Sequence, residues 1–114
     1  LKNKERAEPR FAIRCAARFL PDEYERHSYH ACKLIDCAES SVRVHFRGVM
    51  PKHLKGTMFI VLGSDLRARI MVSLIRRSPQ DAHVAVFQVD TPDRNWRRFV
   101  KALQKHAEAQ AVRG

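Results

Sequence analysis

Arg10-Phe-Ala-Ile-Arg-Cys-Ala-Ala-Arg-Phe19 is the stretch that decides the architecture of this chain. Phe11, Ile13, Cys15, Ala17 and Phe19 recur at every second position, with Arg14 and Arg18 between them. Successive side chains of a strand point to opposite faces, so a period of two predicts a strand with one apolar face and one solvated, basic face. Just upstream, Arg6 and Arg10 stand four residues apart around Pro9. Proline fixes its own φ and keeps Glu8 out of the helical region. The segment is therefore read as a non-helical arm feeding the strand, with residues 1–9 charged and flexible until something binds them. Two guanidinium groups on so short an arm suit phosphates and guanine edges, because arginine stays charged, donates in a fixed plane and stacks on flat rings.

Downstream, the same period returns. Pro21 to Ser28 is polar and turn-like, and Ala31–Asp36 is a short strand. Asp36-Cys-Ala-Glu-Ser-Ser41 makes a turn, after which Val42, Val44 and Phe46 alternate with Arg43, His45 and Arg47. A loop holding Pro51 leads to an apolar strand, Thr57–Leu62. Gly63-Ser-Asp65 signals a hairpin. Leu66, Ala68, Ile70, Val72 and Leu74 share one face of the next strand, Ser78-Pro-Gln-Asp81 turns the chain, and His83–Val89 is the last strand. Asp93 can cap a helix in which Trp96, Phe99, Val100, Leu103 and Ala107 fall on one side. Strands first and a helix last predict a mostly all-β fold: a small six-stranded antiparallel β-barrel with a C-terminal α-helix, spanning residues 10–110 behind the arm.

The chain has 114 residues, enough for one domain. Its net charge of +10, from 22 Lys+Arg against 12 Asp+Glu, favours anionic partners. No run of about 18 apolar residues is present, so no membrane insertion is expected. No secretory leader is expected either, since Leu1 is followed by charges. Three cysteines without scaffold spacing fit a reducing cytoplasm.

The order of these features resembles the PilZ domain family, bacterial receptor modules for cyclic dimeric GMP (c-di-GMP). Arg6-x-x-x-Arg10 followed by Phe11 is similar to the family's Arg-x-x-x-Arg motif, and Asp36-Cys-Ala-Glu-Ser-Ser41-Val-Arg43 stands where the family carries Asp/Asn-x-Ser-x-x-Gly. Gly56 before a strand, Ile70–Arg77, Val84–Phe87 and the closing helix follow in the family's order, so the likeness spans about residues 5–105. The second motif is degenerate: Ala38 replaces the serine and Ser41 the glycine.

The resemblance implies a non-catalytic c-di-GMP receptor or adaptor with a ligand set of Arg6, Arg10, Asp36, Ser41 and Arg43, and no further cofactor. Arg6 and Arg10 would contact phosphate oxygens and guanine O6/N7, the edge that arginine reads in a DNA groove. Asp36 would accept from guanine N1–H and N2–H₂. The arm would order on binding and present a changed surface to an unidentified effector protein governing motility, adhesion, polysaccharide export or virulence. The departures weaken this set. Losing the hydroxyl at 38 costs about 1 kcal/mol. If position 41 requires φ > 0, serine there costs on the order of 1 kcal/mol more. The sum is a factor of about ten or more in affinity.

Other readings stand beside these. Arg6 and Arg10 also read as a solvated basic tail, Asp36 as a turn residue bonding its own backbone, and Arg43 and Arg18 as exposed strand arginines. His27, His30, Cys32 and Cys37 suggest a metal, but Cys32-x₄-Cys37 only reaches the longest cysteine spacing of a structural zinc site and His27-x₂-His30 falls short of the histidine spacing. No cysteine sits in a nucleophile's setting, so no enzyme is expected. Two rival functions remain: a degenerate domain that binds no nucleotide and acts through protein contacts, and a small basic barrel that binds nucleic acid. Few aromatics on the exposed strand faces count against the second.

Overall fold

A computed structural model of the chain describes residues 9–22, 29–48, 50–52 and 55–113. Six strands precede one helix: β1 (Phe11–Pro21), β2 (His30–Cys37), β3 (Ser41–Phe46), β4 (Lys55–Leu62), β5 (Leu66–Arg77), β6 (Val84–Val89) and α1 (Arg94–Arg113). Every pairing is antiparallel, and the strands close into a barrel in the order β1-β2-β3-β6-β5-β4. Closure comes from β1 pairing with β4, from Ala16 opposite Val61 to Pro21 opposite Gly56. The sheet therefore has no free edge along these strands.

The period-two pattern maps onto the wall. Ile13, Cys15, Ala17 and Phe19 of β1 point inward and are buried, while Arg14 and Arg18 are exposed. Phe19, Phe46 and Phe87 meet inside at centroid distances of 5.0–6.2 Å in tilted or edge-on pairs, the arrangement that ring quadrupoles favour. The helix packs on β1 and β5 through the predicted stripe of Trp96, Phe99, Val100, Leu103 and Ala107, all buried. Asp93 caps it: its Oδ1 accepts from the Trp96 N–H at 2.8 Å. Several boundaries differ from the sequence reading: β2 is one residue longer at each end than Ala31–Asp36, and β4 begins at Lys55 instead of Thr57. Pro21 ends β1 instead of opening a turn, and β6 begins at Val84 because the His83 N–H is taken by the Asp81 carboxylate at 2.9 Å.

At Gly56, opposite Pro21, β4 lies close against β1. A Cβ there would lie 2.4 Å from the Leu20 carbonyl oxygen and 2.7 Å from the Phe19 ring. Gly63, at φ +70°, has open space around it and needs glycine only for its backbone. Gly56→Ala is expected to destabilise the fold by about 1–3 kcal/mol through overpacking, lowering the thermal midpoint by roughly 5–15 °C. An unchanged midpoint in a thermal melt would remove the close-approach argument.

Candidate functional site

The predicted site residues gather at one end of the outer wall, and a β-bulge is what puts them there. Cys32 and Leu34 of β2 point inward. Regular alternation would carry Asp36 inside as well. The β2–β3 register slips between Leu34 and Asp36, with Ile35 as the extra residue. The slip flips the phase, so Cys37 is buried and Asp36 turns outward. Asp36 pairs with Ala12 on one side and Arg43 on the other.

Arg10, one residue before β1, donates from Nε to Asp36 Oδ1 at 2.6 Å and from Nη1 to Ser41 Oγ at 2.8 Å. Arg43 Nη1 lies 3.4 Å from Asp36 Oδ2. The carboxylate thus sits between two guanidinium groups, with 18% of its side chain exposed against 34% for Arg10. A carboxylate accepts several hydrogen bonds and an arginine donates more than the two used here, so the cluster retains capacity for a ligand with both donors and acceptors. Arg6 lies outside the described residues.

The turn beneath the cluster is pinned from three sides. Ala38 N–H donates to Ser41 O at 2.9 Å, Val89 N–H to Ser40 O at 2.8 Å, and the Trp96 indole Nε1–H to Glu39 O at 2.7 Å. No described non-glycine residue has a positive φ. The condition attached to Ser41 is therefore not met: serine opens β3 in an extended backbone and adds a hydroxyl that holds Arg10. Neither this bond nor the link from Trp96 to the turn was read from the sequence.

Among the described residues, no group of three or more His, Cys, Asp or Glu side chains is placed to hold a metal. His27 lies outside them. Cys15, Cys32 and Cys37 are buried thiols outside any disulfide. Burial pushes the Cys15 thiol up to about 11, and burial reinforced by Cys15 pushes Cys32 up to about 12. Both remain protonated at neutral pH, unsuited to nucleophilic chemistry. Among the described residues, no helix is long and apolar enough to cross a membrane.

No family model matches the chain, and no curated protein is detectably similar to it in sequence. A solved structure is similar in fold: the PilZ domain with c-di-GMP of YcgR from Escherichia coli, at a TM-score of 0.71 and 13% sequence identity, with 97% of this chain and 100% of that chain covered. The closed six-stranded barrel and the helix packed on it accompany that likeness. The chain has the fold of a PilZ domain.

Proposed function

We propose that this chain is a bacterial, cytoplasmic, non-catalytic receptor for c-di-GMP that converts nucleotide binding into an altered contact with an effector protein. The observation that carries the reading is the Arg10–Asp36–Ser41 cluster, together with the fold shared with a domain solved with that nucleotide. A guanine presents acceptors on its O6/N7 edge and donors at N1 and N2. Arg10 is the matching donor, Asp36 the matching acceptor, and Arg43 a second cation beside them. Arg6 would supply the phosphate contact from the arm, which would change shape as the ligand is gripped.

In the free chain Arg10 and Asp36 satisfy each other, so the ligand exchanges one set of polar contacts for another. Ser41 helps keep the guanidinium in place during that exchange. Ser41→Ala is expected to weaken c-di-GMP binding about fivefold, the effect of one hydrogen bond of about 1 kcal/mol. Calorimetric titration checks this, and equal or tighter binding by the variant would show that the hydroxyl does not assist Arg10.

The self-satisfied pair also favours a second reading, a domain that has closed its nucleotide site and serves only as a protein-interaction module. Titrating the intact chain with c-di-GMP decides between them: saturable heat supports the receptor, and its absence at millimolar ligand supports the adaptor.

A further inference from the structure

We infer that the outer wall further along the strands from the Arg10–Asp36 cluster is a docking surface for an acidic segment of a partner protein. The sheet register lines up two parallel rows of outward side chains across the barrel. One row runs His45, Lys33, Ala16, Val61 and Arg67 over β3, β2, β1, β4 and β5. The adjacent row runs Ala31, Arg18, Phe59 and Arg69. Arg47 extends it, since its N–H bonds to the Ala31 carbonyl.

The rows hold two shallow depressions of about 620 and 780 Å³ that share Ala16 and Arg18, so together they form one shelf. Neither is lined by Arg10 or Asp36, and among the described residues no Asp or Glu lines either of them. Among the described residues, Lys33, Arg47, Arg67 and Arg69 have no acidic partner. The floor is small and apolar: Ala16 and Ala31 leave room between longer basic side chains, and Val61, 42% exposed, lies next to Phe59 and Tyr29. Fixed cations around an apolar floor match an occupant bearing carboxylates around a hydrophobic side chain.

Two other occupants fit less well. A second copy would set the same cations against themselves. Single-stranded nucleic acid needs successive rings on which bases stack. Here Tyr29 meets Phe59 edge-on at 5.7 Å, and Arg18 covers the tyrosine ring at 5.6 Å. The shelf is centred away from the Arg10–Asp36 cluster: eight residues of extended chain put Arg18 about 26 Å from Arg10 along β1, while its near rim, at Arg14 and Ile35, borders the cluster.

Five strands at about 4.8 Å spacing span roughly 19 Å, so a fluorescently labelled acidic peptide of about ten residues with a central Leu-Phe pair is an adequate probe. Anisotropy titrations compare it with oligo-dT of matching length. Arg18→Glu with Arg69→Glu is expected to weaken peptide binding at least about tenfold, while Arg94→Glu with Arg98→Glu on the exposed helix face, an equal charge change, alters it less than about twofold. Lys33→Glu with Arg67→Glu, in the other row, repeats the test should the first pair fail to fold. The proposal is overturned by absence of peptide binding, by equal losses from shelf and helix reversals, by tighter binding of oligo-dT than of peptide, or by a concentration-dependent dimer that the shelf reversal abolishes.

Discussion

Arg10→Ala is expected to lower the affinity for c-di-GMP about a hundredfold while leaving the barrel folded. Hydrogen bonds to a charged group contribute about 1.5–3 kcal/mol each, and two directed at one guanine edge approach the upper end of a 3–6 kcal/mol loss. Part of that is offset, because in the free chain Arg10 already bonds to Asp36 and Ser41. A net loss of about 3 kcal/mol is a factor of roughly a hundred. The same substitution costs the fold little. The guanidinium is one-third exposed, and ion pairs at such positions contribute about 0–1 kcal/mol. Calorimetry and a thermal melt on the same sample separate the two effects. Arg10→Lys sharpens the test: it keeps the charge and loses the planar fork, so an intermediate affinity is expected. Unchanged binding in Arg10→Ala would remove Arg10 from the site, whereas loss of binding with a collapsed melt would make it a structural residue.

The barrel was legible because its walls have one wet and one dry face, and that asymmetry writes a period of two into β1, β3 and β5. The helix was legible for the same reason at a longer period. What alternation does not encode is a change of phase. The extra residue Ile35 reverses the facing of everything after it in β2, and nothing in Leu34-Ile-Asp36 announces that. Asp36 was picked out through a motif likeness, and its outward facing depends on the bulge. The encounter of Arg10 with Ser41, 31 residues apart in sequence, depends on which strands pair and in what register. Spacing along the chain carries neither, which is why the Arg10–Ser41 bond was not anticipated. Tyr29 and Phe59 were missed as an outer-wall pair for a related reason: Tyr29 lies between the polar turn and the strand read from Ala31, where no periodicity places it, and Phe59 in an apolar run whose two faces look alike.

Trp96→Ala is the substitution expected to damage the fold most. Its ring is 2% exposed, stacks on Phe99 at 5.7 Å and 28°, and donates its N–H to Glu39 O. Removing a buried aromatic of this size costs about 3–5 kcal/mol, a large share of the 5–15 kcal/mol typical of a whole domain. The thermal midpoint should fall by roughly 10–25 °C. Trp96→Phe weights the loss toward hydrogen bonding, since it keeps most of the apolar volume and removes the N–H. Its stability cost is expected to be about 1–2 kcal/mol. It should also reach the proposed nucleotide site without touching it. Glu39 belongs to the turn whose flanks carry Asp36 and Ser41, so an untethered Glu39 carbonyl loosens the frame that positions Arg10. A several-fold weaker c-di-GMP titration, measured well below the lowered midpoint, is the expected signature. If Trp96→Phe lost stability but kept full affinity, the helix would only lid the barrel, and the turn would hold its shape through the Ala38–Ser41 and Val89–Ser40 bonds alone.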